Sequence, residues 1–312
     1  MSGKYSRPVY VLDLPWQIFD LAILTLLVFF WSAFLYGWTL GGALGIAIAA
    51  SAALGFTTIA YGSFVEPRRL RVRRMNVGVG ERAVTVAFLS DIHVGPYKKT
   101  SWVRHLVRRT QALNPDVILL GGDFLYKKAD ALPYLEPLKE LRAPLGVYAI
   151  LGNHDEWKAR KESIAWFERS AIPLLHNRSV RVQKNGASIV IAGAEDDWYG
   201  ETDLAVALHD AGSSELSLVM LHNPDLATPA AKLLQKGPGK IVFFSGHTHG
   251  GQIRLPFIGS IMRLPHYLGR YFDRGLFSFE GVPLVLGAGL GESGPRARLF
   301  CPPEIVLVEV RF

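Results

Sequence analysis

Gly246-His247-Thr248-His249-Gly250 follows the apolar run Ile241-Val242-Phe243-Phe244. If that run is a strand, its period of two points His247 and His249 to the same side. The flanking glycines permit a tight turn at the strand end. Imidazole is the commonest metal-ligating side chain. An H-x-H pair alone is a weak indicator, because surface and core histidines are common. The reading depends on how the other strands end.

Four more apolar runs end in metal-ligand residue types. Residues 84–89 run into Ser90-Asp91-Ile92-His93, and 117–120 into Gly121-Gly122-Asp123. Residues 147–151 run into Gly152-Asn153-His154-Asp155, and 216–221 into His222-Asn223. Helix-like stretches at 102–113, 129–141 and 157–169 alternate with these runs, the pattern of β-α-β units. Residues 188–192, 282–286 and 305–310 are further strand candidates. In open α/β sheets, ligands bind outside the carboxyl ends of the strands. If the strands are parallel neighbours, five ends face one cleft. Seven donors would meet there: the carboxylates of Asp91 and Asp123, the amide oxygen of Asn153, and the imidazoles of His93, His222, His247 and His249. Seven are too many for one four-coordinate ion and suit two ions that share a bridging carboxylate. A mixed nitrogen and oxygen set without thiolate points to Mn, Fe or Zn.

Asp91-x-His93, Gly121-Gly122-Asp123, Gly152-Asn153-His154-Asp155, His222 and Gly246-His247-Thr248-His249, in this order, resemble the calcineurin-like metallophosphoesterase superfamily. The resemblance runs from Asp91 to the C-terminus. It implies an α/β fold, a metallophosphoesterase-type β-sandwich flanked by helices, with a binuclear centre. Asp91, His93, Asp123 and His249 would bind the first metal, and Asp123, Asn153, His222 and His247 the second, with Asp123 as the bridge. His154 would face the substrate as the catalytic residue. Phe124 stands where the protein Ser/Thr phosphatase branch carries arginine, which argues against a phosphoprotein substrate. Gly-Gly-Gln after the last histidine and Cys301-Pro302-Pro303-Glu304-Ile305 look like a membrane-associated bacterial branch, some members of which are linked to UDP-2,3-diacylglucosamine hydrolysis. Asp155 has two readings, orienting His154 or capping the helix that follows. Glu195-Asp196-Asp197 reads as a solvated loop sooner than as support for the ligands. His105, His176, His209 and His266 have no motif context and read as structural or exposed.

From Leu21 to Val65 there is no charged residue. A bilayer core takes about 20 apolar residues per helix, so the run suits two spans, 21–40 and 43–65, broken at Gly41-Gly42. A signal peptide has a shorter apolar region, and a twin-arginine signal would precede the run, not follow it. Arg68, Arg69, Arg71, Arg73 and Arg74 follow the second span; Lys4 and Arg7 precede the first; the turn between spans is uncharged. The positive-inside rule then places both ends in the cytoplasm, and the arginine run suits anionic headgroups. Subtracting those five arginines from the net charge of +7 leaves +2 for the rest. The excess is therefore juxtamembrane, and no nucleic-acid partner is expected. Cys301 is the single cysteine, so an internal disulfide is excluded.

The expected organisation is a transmembrane hairpin over residues 1–66, a basic linker over 67–82 and a phosphoesterase domain over 83–312. The expected function is a membrane-anchored hydrolase that uses two divalent metals on a phosphoester or pyrophosphate, with a lipid among the candidate substrates. The competing reading is a non-catalytic, membrane-tethered interaction protein on the same fold. A transporter is excluded, because two spans without an intramembrane charge offer no ion pathway. The stretch 253–277 mixes apolar residues with Arg254, Arg263, Arg270 and Arg274. It has two readings, a loop that buries its apolar side chains on the sheet or a flap that dips toward the bilayer.

Overall fold

The computed structural model describes residues 15–234, 239–262 and 264–312; Lys4, Arg7 and Arg263 lie outside them. Two helices come first, α1 (Trp16–Leu40) and α2 (Gly42–Ala60). The chain reverses at Gly41 and Gly42, both at positive φ. A π-turn at Tyr61–Val65 and a 3-10 turn at Glu66–Arg68 follow. Helix Trp16–Leu40 and the run Gly42–Arg68 are each long and apolar enough to cross a membrane. Their buried positions are small, Gly37 against Gly45, Ala49 and Ala52. Large apolar side chains such as Leu24, Phe29 and Leu54 face outward, the pattern of helices packed on each other in lipid.

The rest is an α/β sandwich. In chain order it contains β1 (Arg71–Val77), β2 (Ala83–Leu89), α3 (Thr100–Gln111), β3 (Val117–Gly121), β4 (Val147–Ile150), α4 (Asn153–Glu168), β5 (Arg178–Lys184) and β6 (Ala187–Gly193). Then come α5 (Leu204–Ala207), β7 (Leu216–Met220), α6 (Ala227–Leu234), β8 (Lys240–Ser245), β9 (Arg254–Leu255), β10 (Gly259–Ser260), β11 (Gly275–Phe279), β12 (Val282–Leu286) and β13 (Glu304–Arg311). One sheet has the order β1-β13-β2-β3-β4 and the other β11-β12-β8-β7-β6-β5. Within them β2, β3 and β4 are parallel neighbours, as are β6, β7, β8 and β12.

Alternation along β2 explains the layering. Val84, Val86 and Phe88 enter the core between the sheets, with Leu119, Ile191, Leu218, Phe244 and Val308. Ala87 and Leu89 face the other way, into the core under α3 and α4. A third core joins the outer face of the second sheet to α5 and α6. The side-chain period of two buries both faces of each central strand.

Two local expectations need correction. The stretch read as a basic linker carries a strand: β1 pairs in parallel with β13 from Arg71↔Glu304 to Val77↔Val310. Val72, Met75 and Val77 pack on the cores, while Arg71, Arg73, Arg74 and Asn76 occupy the remaining positions, and charged side chains are a common way to protect a sheet edge. The helix expected at 129–141 is a 3-10 run, Ala129–Glu140, with Pro133 and Pro137 inside it. Proline removes the amide that an α-helical turn needs.

Candidate metal centre

Each donor sits just past a strand end. Asp91 and His93 follow β2, Asp123 follows β3, Asn153 and His154 open α4 after β4, His222 follows β7, and His247 and His249 follow β8. The parallel strands of both sheets deliver these ends to one edge of the sandwich. Close approach is tight at Gly122, where an added Cβ would come within 2.6 Å of Gly152 N and 2.9 Å of His222 Nδ1.

The donors form two groups with one member in common. One ligand atom from each of Asp91, His93, Asp123 and His249 lies within 4.8 Å of the others, and the same holds for Asp123, His222 and His247. All six are buried. Asn153 completes the second group, its Oδ1 lying 2.9 Å from His247 Nδ1 and 3.1 Å from His222 Nε2. Asp123 stands between the groups. Its Oδ1 accepts the His154 backbone N–H at 2.9 Å. Its Oδ2 is 3.4 Å from His93 Nε2 and 3.4 Å from His222 Nε2.

The outward ring nitrogens are held by carbonyls. His93 Nδ1 meets Leu125 O at 3.0 Å, His222 Nδ1 meets Gly121 O at 2.8 Å, and His247 Nε2 meets Pro265 O at 2.9 Å. A carbonyl only accepts, so those nitrogens carry hydrogen, and in the neutral rings of His93 and His247 the opposite nitrogens turn lone pairs inward. His222 Nε2 and His247 Nδ1 then face each other at 3.3 Å, and His93 Nε2 faces His249 Nε2 at 3.0 Å. Asp91 Oδ2 and His249 Nδ1 are buried without a hydrogen-bond partner. Burial, with His154 nearby, pushes His93 down to about 3. Burial likewise holds His247 and His249 well below their ordinary value. Burial works against charge on His222 too, but Asp123, Asp91 and Asp196 hold it well above its ordinary value. The carboxylate field that draws a proton there would equally draw a cation. Converging lone pairs, orphaned buried donors and a negative field fit divalent metal ions.

His154 belongs to neither group. Its ring stands edge-on to His93 with centroids 4.6 Å apart, and its Nδ1 meets Tyr126 O at 2.6 Å, which leaves Nε2 available. Asp155 does not touch that ring. It accepts the backbone N–H groups of Phe124, Leu125 and Gly152 at 3.0–3.1 Å, so it caps α4 and secures the loop that carries Asp123.

Glu195-Asp196-Asp197 departs from the solvated loop expected of it. Glu195 and Asp196 are buried. Asp196 Oδ1 accepts Trp198 N and Tyr199 N at 3.0 Å, which positions the Trp198 ring edge-on to His247 at 4.6 Å. Trp198 and Tyr126 support the site although neither lies in a ligand motif; only adjacency to an acidic turn and to Asp123 hinted at them. His105, His176, His209 and His266 stay outside both donor groups. Gln252, after the H-x-H motif, accepts Ser293 N at 2.9 Å and donates to Ser293 O and Pro295 O at 3.1 Å.

A sandwich with two donor groups at the strand ends defines a metallophosphoesterase-type fold with a candidate metal centre. The family is equally clear: the chain belongs to the calcineurin-like phosphoesterases, whose model matches residues 84–251. A Caenorhabditis elegans metallophosphoesterase is 30% identical over 239 residues, 72% of this chain and 48% of that protein. The UDP-2,3-diacylglucosamine pyrophosphatase LpxG of Chlamydia trachomatis is 28% identical over 313 residues, 80% of this chain and 92% of that one. A Bos taurus transmembrane protein with a metallophosphoesterase domain is 30% identical over 231 residues, 66% of this chain and 51% of that one. The chain thus spans about half the length of the worm and bovine relatives.

Proposed function

We propose that the protein is a membrane-anchored phosphoesterase whose seven donors hold two divalent cations. Asp91, His93, Asp123 and His249 hold one, Asp123, Asn153, His222 and His247 the other. The observation that carries this reading is Asp123 Oδ2, equidistant from a histidine of each group. Divalent cations bound there supply Lewis acidity, making water a competent nucleophile at neutral pH and countering charge on the phosphoryl oxygens. The chain's own residues do the rest. The α4 N-terminus turns its amides toward the site, and the His154 amide fixes Asp123 while the carboxylate binds. Tyr126 O fixes the His154 tautomer, so Nε2 can hold and deliver a proton to the leaving oxygen. Trp198 and Pro265 keep His247 in one orientation.

The substrate reading is a phosphoester or pyrophosphate of a lipid. Two apolar helices and exposed apolar side chains on the 253–277 stretch support it. Among its described apolar residues Leu264 is buried, whereas Leu255, Phe257, Ile258 and Met262 are exposed. Its described arginines have other partners: Arg254 pairs with Asp273, Arg270 donates to Ile258 O, and Arg274 donates to Cys301 Sγ. The stretch therefore offers lipid an apolar contact sooner than an arginine cluster. LpxG, by its name, acts on such a glycolipid pyrophosphate, and the likeness favours the membrane-associated bacterial branch. In this reading residues 1–66 anchor the chain, β1 joins the catalytic domain, and that domain lies on the cytoplasmic side, where the Arg68–Arg74 run meets anionic headgroups. The test is a substrate screen on purified protein with Mn, Zn and Fe supplied separately. Metal-dependent release of phosphate or phosphomonoester supports the reading; inactivity with every metal on all ester classes would count against it in favour of a tethered interaction protein.

A further inference from the structure

The cleft beside the metal donors has a volume of about 280 Å³. Asp123, Asn153 and His154 line it, together with Met262, Leu264 and, from the first apolar helix, Phe19. The anchor is therefore part of the cleft.

The contact is built rather than incidental. Phe19 is half-buried, and a Cβ added to Gly294 would lie 3.8 Å from its Cζ. Gly294 belongs to the segment that Gln252 secures through Ser293 and Pro295. Chain connectivity thus runs from the ligand His249 through Gln252 to the 293–295 segment, which lines the cleft with Phe19. One turn earlier, Trp16 stands edge-on to Tyr97 at 6.1 Å, and its carbonyl accepts Tyr97 OH at 3.3 Å. The Arg296 guanidinium lies 5.6 Å from the Tyr97 ring and 5.0 Å from the Phe64 ring, so it bridges the domain and the end of the second span. Below, Glu66 accepts Phe300 N and Cys301 N, Lys98 donates to Pro67 O, and Gly62 O accepts Arg298 N at 2.8 Å. Both arms of the hairpin are fastened to the loops that frame the site, far more than a tether needs.

We propose that Phe19 is a substrate-contacting specificity residue, and that the cleft takes a phosphate ester with its phosphate at the metal donors and an aliphatic chain along Phe19, Met262 and Leu264. This rests on the phosphoesterase reading and adds to it that the anchor helix selects the substrate. Phe19 lies near the start of α1, at the level where a spanning helix enters the interface, so a chain leaving the cleft past Phe19 passes directly into the acyl region. No charged side chain interrupts α1 after Asp20.

The test is the dependence of kcat/KM on chain length, measured with monoalkyl phosphates from methyl to decyl on the full chain in detergent. Each enzyme is compared with itself, so partial misfolding cancels. Wild type should gain about three- to fourfold for each methylene that becomes buried, until the cleft is full. Phe19→Ser should flatten that rise by at least about tenfold over the series, and Phe19→Leu should restore most of it. Leu24→Ser, on the exposed face of the same helix, should keep the wild-type slope. An unchanged slope in Phe19→Ser, or an equal loss in Leu24→Ser, overturns the proposal. A wild type inactive on every member with metal supplied overturns the proposal, whereas the phosphoesterase reading falls only if the protein is also inactive on diesters and pyrophosphates.

Discussion

Asp91, His93, Asp123, His247 and His249 all hold φ between +48° and +70°. Side chains other than glycine avoid this region, and each such residue costs of order 1–3 kcal/mol. The surrounding hydrogen bonds hold them there: Asp91 N donates to Gly122 O at 2.9 Å, His93 N to Asp123 O at 3.0 Å, and His247 N to Asp91 Oδ1 at 2.9 Å. Five of the seven donors thus carry backbone strain, although Asn153 and His222 do not, and positive φ also occurs outside the site, at Asn114 and Phe300 among others. His154 is different, because its backbone is not at positive φ and it belongs to neither donor group. His154→Ala should therefore fold and keep wild-type metal content while kcat falls by about 10²-fold or more, the usual worth of a positioned acid. Metal analysis alongside steady-state kinetics decides this; a loss of metal as large as in His247→Ala would make His154 a ligand.

At the scale of elements, Glu66 joins the anchor to the sandwich. Its buried carboxylate accepts Phe300 N at 3.1 Å and also Cys301 N, and Cys301 Sγ donates to His249 O at 3.3 Å. Removing the carboxylate leaves two amides without acceptors, at about 1–3 kcal/mol each. Glu66→Ala should lower the Tm by several degrees in detergent, with Glu66→Gln losing less. An unchanged Tm would show that the junction tolerates water. The β9–β10 turn is a second element of interest, since Phe257 at its tip is fully exposed and at positive φ. Phe257→Ser combined with Ile258→Ser should lower kcat/KM for a lipid pyrophosphate selectively over an aryl phosphate. Equal losses on both would assign the turn a structural role only.

The same scale explains what the sequence disclosed. The eight central strands were legible because each is an apolar run of strand length bounded by glycine, asparagine or a charge. The donors were legible because every one falls within five residues of such a run. β1 was hidden because Arg71, Arg73 and Arg74 mask the apolar alternation at Val72, Met75 and Val77. β5, Arg178-Ser179-Val180-Arg181-Val182-Gln183-Lys184, was hidden because an edge strand exposes half its length. Asp196, Trp198 and Phe19 could not be found from local pattern, since they reach the site only through the packing of distant segments.

At the scale of the whole molecule, the parallel strands of two sheets and a helical hairpin meet at one edge of the sandwich, and the donors lie there. Arginines cluster where the second helix ends, and the uncharged turn at Gly41-Gly42 lies at the opposite end of the hairpin. A reporter fused after Phe312 should therefore read as cytoplasmic. Cleavage of the sandwich by protease added outside intact cells or spheroplasts would contradict that orientation.

The central claim is that hydrolysis requires both donor groups filled, with Asp123 shared between them. The most direct measurement is a metal titration of chelator-stripped protein, reading bound metal per chain and phosphate-ester hydrolysis on the same sample. The account predicts no hydrolysis in the stripped protein, activity that climbs as occupancy approaches two ions per chain, one for each group, and an Asp123→Ala variant that fills neither group. Full hydrolysis by metal-free protein, or wild-type metal content in Asp123→Ala, would contradict it.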